Sequence, residues 1–378
     1  MRVEFNSDGT LDLTHKETGR TFSGLHYLED TGETGHSWIH MEPDENLTIT
    51  SHGFPVSIAL EEAGPVFARM RVDYHLRIPA GLTEEMNAQF RTAEMNHSAR
   101  TKEMKDLIVT SRFTLRAGQK RLDVTTSLDN QCRNHRLRVV FPTRLKAETS
   151  DSEAAFDVVS RDIHVKKGNA YYGRPNPQYP MYRFVDLSDE KMGFSVLNRG
   201  IREYEAMDTR DRPLAITLFR ALTYRNCPIF GRYEVYPEMA LAQCIGEHEW
   251  TYALYPHTGD WTNGVFEEAE DLNLPLEAAQ VGPHTGTLPK SMSFLEVKGG
   301  NLQLTAFKRA EDRKSSFVVR LFNPEARQVT GSLALWKPVK KAWLVNLDEK
   351  RLEKLEPKGN TIKLKVPKKK IVTVEFQV

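Results

Sequence analysis

Cysteine is scarce in this sequence. Only Cys132, Cys227 and Cys244 occur in 378 residues, with no CxxC pair. Three widely spaced thiols cannot build a disulfide framework, and they fit a reducing, cytoplasmic setting. Long apolar runs are also missing. No window approaches the ~18 apolar residues that a spanning helix needs, so no membrane is expected as a partner. Net charge is nearly absent: 52 Lys and Arg balance 51 Asp and Glu. No long-range field would gather nucleic acid. The opening Met1-Arg-Val-Glu-Phe5 shows no basic region followed by an apolar stretch, hence no signal peptide. It starts abruptly in a strand-like segment, which suggests a piece of something longer.

Helical periodicity is equally thin, and strand grammar fills its place. Arg2–Phe5 and Leu11–Leu13 alternate around Asn6-Ser-Asp-Gly9, where Gly supplies the positive φ of a hairpin turn. Ile108–Leu115 and Arg121–Leu128 repeat the pattern around Ala117-Gly118. Further strands are expected at Leu47–Thr50, Val56–Leu60, Phe67–Ile78, Arg136–Phe141 and Leu214–Leu222, and many more follow up to Phe376. Short strands in this number, spaced by turn residues, specify sandwiches rather than βαβ units. Helix is expected only at Met86–Asp106 and Phe266–Leu272. The length exceeds one ordinary domain. A breaker-rich stretch at residues 281–293 places a boundary between lobes at 1–285 and 286–378. The Lys-rich Lys363–Lys370 alternates basic and apolar residues, as an edge strand guarded against pairing does.

The search for chemistry returns little. No HExxH, P-loop, GxGxxG or GxSxG occurs. His36 and His40 are four apart, but their surroundings are not helical, and nothing local completes a zinc site. Carboxylates are too many to pair by inspection, although glycoside hydrolysis needs two facing one sugar. Two segments differ from plain scaffold. Tyr171–Tyr182 mixes aromatics, prolines and an Arg, which suits sugar rings or a domain interface alike. Arg199–Arg212 is a charged connection between strands that reaches either a partner domain or solvent.

An ordered set of motifs then resembles a family. Asp8-Gly-Thr-Leu11 and Gly32-Glu-Thr-Gly-His-Ser-Trp38 open it, and Leu128-Asp-Asn130 with His135-Arg-Leu-Arg-Val-Val-Phe-Pro-Thr143 follows. Gly193–Gly200, Glu203-Tyr-Glu205, Tyr252–His257 and Ala306–Asp312 continue in order. The set is similar to the C-terminal β-region of family 38 glycoside hydrolases, of the bacterial α-mannosidase and mannosylglycerate hydrolase type. Departures exist: Glu33 and His36 stand near positions often acidic in the family, and Trp38 stands where Tyr is usual.

The resemblance implies an all-β fold: a large galactose-mutarotase-like supersandwich, a small β-sandwich after it, and few short helices. It implies that zinc and the nucleophilic Asp of a retaining double displacement belong to an N-terminal α/β-barrel of the same polypeptide, outside this chain. This chain would pack on that barrel and edge a site for a mannose-containing saccharide, with possible subunit contacts to further copies. The rim residues so implied are Arg210, Tyr182, Glu205 and Arg199. A free-standing carbohydrate-binding module and a mutarotase-like epimerase are the competing readings.

Overall fold

The computed structural model describes residues 1–83, 99–164, 170–171, 174–175, 177–223 and 237–378. Its opening is the expected hairpin. Arg2–Phe5 pairs antiparallel with Leu11–His15, and Gly9 turns the chain with φ 85°. That turn admits no side chain, because a Cβ on Gly9 would press on the ring of Tyr74.

Among the described residues the chain divides into two units. The first comprises Met1–Ser152 and Ser160–Leu274, and the second Glu153–Val159 and Pro275–Val378. The first unit is a sandwich of two large antiparallel sheets. One, a nine-stranded sheet, runs through Phe184–Ser188, Met192–Arg199, Gly246–Thr258, Leu122–Asn130, Met104–Arg116 and Phe67–Pro79 to the edge strand Val56–Ala63. The other has six, in the order Gln178–Pro180, Glu203–Ala206, Pro213–Arg220, His135–Pro142, Tyr27–Gly32 and Ile49–Thr50. Alternation explains the layering. Val72, Val109, Val124, Val196 and Leu254 from the first sheet share one core with Leu28, Leu137, Val139 and Ile216 from the second.

Polar groups inside this core are matched to one another. His26, with φ 68°, places its ring between the hydroxyls of Tyr74, 3.0 Å from Nδ1, and Tyr252, 2.6 Å from Nε2. Burial pushes this imidazole down to about 3, so it is neutral. Asp30 pairs with Arg100 and, at 2.5 Å, with Nδ1 of His135. The Asn130 amide donates to the carbonyls of Cys132, Gln243 and Cys244, and its oxygen faces His135 Nε2 at 3.0 Å. The Asn130…His135 motif of the sequence is therefore a structural clamp.

The second unit is a smaller sandwich of a three-stranded and a five-stranded sheet, joined by a core that includes Val319, Leu333, Ile362, Val374 and Phe376. Thr361–Val366 lies at a sheet edge. Ile362, Leu364 and Val366 are buried while Lys363 and Lys365 face out, as the lysine alternation requires.

Helix forms at Val265–Asn273, over the expected stretch. The helix expected at Met86–Asp106 is corrected at its end: Met104–Arg116 is a 13-residue strand whose Leu107, Val109 and Phe113 are buried in alternation. Alternation over that length outweighs the helical preference of Met and Lys. Residues 86–98 of that expectation fall outside the described residues, as does Cys227. The contact boundary lies at Leu274/Pro275, and the chain from 274 to 294 holds no strand or helix.

Candidate functional site

The outer face of the six-stranded sheet concentrates charge. In His135–Pro142 the side chains of Leu137, Val139 and Phe141 enter the core, so Arg136 and Arg138 turn outward. Neighbouring strands add Glu29, Thr31, Glu203, Glu205, Thr217 and Arg220 by the same alternation. Arg138 is the hub. It pairs with Glu29 and donates from Nη1 to Glu205 at 2.5 Å, while Gln178 donates to the same Glu205 oxygen at 2.8 Å. Burial, the largest single influence, would raise the Glu205 carboxyl; Arg138, Gln178 and Arg136 together outweigh it and hold the group below its usual range.

Arg136 is less well matched. Its side chain is 2% exposed, Nε reaches Thr31 at 3.4 Å, and Nη1 has no partner. Burial, then repulsion from Arg138, lower this guanidinium to about 10.

At the far end of the same face, the loop after Gly32 is built on Glu33. Its fully buried carboxylate accepts from Gly35 N at 2.6 Å, from Arg220 Nε at 2.7 Å, and meets His40 Nδ1 at 2.7 Å. Burial opposes ionisation, but Arg220 and His40 hold this carboxyl far below the ordinary value. Arg220 also donates to the His36 carbonyl at 2.7 Å. Burial and Arg220 lower the His36 imidazole to about 4. Gly35 is required, since a Cβ there would collide with the Ile39 carbonyl.

At the opposite end the face opens into a groove of 610 Å³. Met207, Arg210, Asp211, Arg144, Tyr27 and His52 line it, and Arg144 Nε lies 3.4 Å from the Asp211 carboxylate. The rings of Tyr27 and His52 lie 4.8 Å apart.

The structure thus sorts the four expected rim residues. Arg210 and Glu205 share one face: Tyr27, Val140, Ala215, Glu205 and Gln178 form one cross-strand row beside the groove. Glu205 is spent on Arg138, not presented to solvent. Tyr182 and Arg199 lie elsewhere, at the end of the Phe184–Ser188 and Met192–Arg199 pair in the nine-stranded sheet. Tyr182 is exposed beneath Arg202, whose guanidinium lies 5.4 Å from the ring centre. Tyr172, Gly173 and Asn176 of the Tyr171–Tyr182 loop fall outside the described residues. Residue-level reading of the sequence passed over Arg138, Glu29, Arg220 and the role of Glu33. Two arginines alternating with Leu137 and Val139 in an otherwise apolar strand were the available signal.

Chemically, this face presents carboxylates paired to guanidinium groups. A glycosidase general acid needs a carboxyl kept protonated near neutrality. Glu33 and Glu205 are held ionised instead. No group of three or more His, Cys, Asp or Glu among the described residues is placed to hold a metal ion.

Two stacked antiparallel sheets followed by a smaller sandwich define an all-β protein of the β-sandwich class. Comparison with known proteins names its family. Residues 1–227 match "Glycosyl hydrolases family 38 C-terminal domain" and residues 301–374 match "Glycosyl hydrolases family 38 C-terminal beta sandwich domain". The chain belongs to the family 38 glycosyl hydrolase C-terminal region. It is similar over its whole length, at 25% identity, to "Putative mannosylglycerate hydrolase" of Halalkalibacterium halodurans, covering 41% of that protein. It is 30% identical over 64% of its length to human Alpha-mannosidase 2C1, covering 21% of that relative. The crystal structure of an alpha-mannosidase from Enterococcus faecalis V583 superposes with a TM-score of 0.88 at 27% identity, over 99% of this chain and 41% of that one. The chain therefore spans well under half the length of these relatives.

Proposed function

We propose that this chain is the non-catalytic C-terminal part of a zinc-dependent, retaining family 38 hydrolase that cleaves α-mannosides. The observation that carries the reading is coverage. The chain aligns end to end with 41% of a longer family protein, so more than half of such a protein lies outside it. The state of its carboxylates supports the same reading, because Glu33 and Glu205 are locked into arginine pairs. On this reading an α/β-barrel ahead of the chain holds the zinc and the nucleophile. The described residues offer no fit for zinc, so no zinc chemistry is assigned to them. The chain's part is to border the sugar site. Arg210 and Tyr27 in the groove supply a hydrogen-bonding cation and a ring face, the two features that suit a saccharide. Cys132 and Cys244 are free thiols, which suits a reducing cytoplasm, and contacts to further copies belong to the same reading.

The test is hydrolysis of an aryl α-mannoside with added zinc. The chain alone should show no turnover, and a polypeptide carrying the barrel ahead of it should show zinc-dependent turnover with retained anomeric configuration. Turnover by the chain alone defeats the proposal.

A further inference from the structure

Residues 275–294 are out of character with the rest of the molecule. The stretch holds no helix or strand, and all twenty of its residues are exposed. Connections in compact domains are usually short, and a structureless stretch of this length is functional or a linker. A solvated linker is polar and charge-rich. This one has two charged side chains in twenty, Glu277 and Lys290, against 27% charged in the whole chain. It displays large apolar side chains in their place: Leu276 is 102% exposed, Leu288 82% and Val281 70%. Phe294 and Met292, at 59% and 43%, complete the set, and Phe294 alone has a described ring partner, Trp336 at 5.7 Å.

The backbone is preset for reach. Pro275, Pro283 and Pro289 fix φ and keep the segment extended. Twenty extended residues span up to about 66 Å, the breadth of a domain rather than the gap of a turn. Apart from Trp336 N donating to the Phe294 carbonyl at 3.2 Å, its described hydrogen bonds are local, such as that between His284 Nδ1 and the Gly282 carbonyl at 2.9 Å. Leu276, Val281, Leu288 and Met292, exposed along a proline-punctuated segment, fit an apolar surface that the described residues do not supply.

We infer that residues 275–294 are a docking strap, which lays Leu276, Val281, Leu288 and Met292 on the domain that precedes this region in longer family members. The occupant follows from length: the relatives carry the 59% of their chain that this sequence lacks, and a C-terminal region leaves that remainder ahead of it. The inference rests on the reading that such a domain accompanies this chain.

Hydrogen exchange read by mass spectrometry tests it, on this chain alone and on the longer polypeptide with the barrel ahead. Strap amides should exchange at the rate of open chain in the first and at least tenfold more slowly in the second. Leu276→Asp with Leu288→Asp should restore fast exchange in the strap of the longer polypeptide, while peptides from Phe67–Pro79 keep their protection and so report an intact fold. Unprotected strap amides in a polypeptide that hydrolyses aryl α-mannosides overturn the strap and leave the functional reading standing. Protection without turnover upholds the strap and removes the hydrolase reading. Protection in the chain alone that grows with concentration makes a second copy the occupant and also overturns the inference.

Discussion

The buried His26 makes the acid stability of the first unit a test of the whole core description. The ring is fully enclosed, lies against Phe113 with ring centres 4.7 Å apart, and is neutral because burial lowers it from 6.5 to about 3. The unfolded chain takes up a proton below 6.5 that the folded chain refuses until about 3. Stability from this group is therefore complete above 6.5 and is lost as the pH falls through the interval between the two values. Between pH 7 and pH 5 the loss from this one group is about 2 kcal/mol, since each pH unit fully below 6.5 is worth about 1.4 kcal/mol. His26→Asn isolates it. Asn tolerates the φ of 68° at this position, does not titrate, and leaves Tyr74 donating to the Gly9 carbonyl at 2.8 Å and Tyr252 within 2.7 Å of Thr126. The variant should lose roughly 2 kcal/mol at pH 7 from poorer packing. Its further decline from pH 7 to pH 5 should then be smaller than that of the wild type by about 2 kcal/mol. His36 adds a loss of the same sign, and His164 and His257, both raised, act oppositely; all three are common to the two proteins and cancel in the comparison. The assay is native-state hydrogen exchange on peptides from Phe67–Pro79 and Gly246–Thr258, corrected for the intrinsic pH dependence of exchange. Equal pH slopes in the two proteins would refute a neutral, enclosed imidazole.

Two other ionic clusters give sharp expectations. Asp30→Asn should cost about 3–5 kcal/mol, because Arg100 loses its counter-ion and His135 its carboxylate partner in a site with almost no solvent; a urea midpoint within error of wild type would contradict the clamp. Arg138→Gln should cost a similar 3–5 kcal/mol by leaving Glu29 and Glu205 facing each other unneutralised. Arg138→Lys should recover less than half of that loss, since an ammonium cannot serve both carboxylates with the geometry of the guanidinium fork. Full recovery in the urea midpoint would show that charge alone matters there.

Much of the architecture was open to sequence reasoning because period-2 alternation and Gly turns act over a few residues. Arg2–Leu13 and the Lys363–Lys365 edge could be read directly, and Phe266–Leu272 carried its own helical pattern. Reading failed where local preference met long-range pairing. The Met and Lys at 104 and 105 suit a helix, yet they close a strand whose 13 residues pair one for one with Phe67–Pro79. The site was less legible still. Glu205 was visible as a candidate, but its partner Arg138 lies 67 positions away. Arg220 reaches Glu33 across 187 positions, and His135 reaches Asp30 across 105.

Strand grammar by itself determined an all-β protein poor in helix, and the ordered motifs determined which family this chain resembles. Only the tertiary structure decided which charges face each other, that Arg199 ends a strand of the nine-stranded sheet while Glu205 lies in the six-stranded one, and that residues 275–294 are left bare. The reason is physical. Strand character follows from neighbours along the chain, whereas the state of a carboxylate follows from whichever guanidinium the sheet order brings within 3 Å of it.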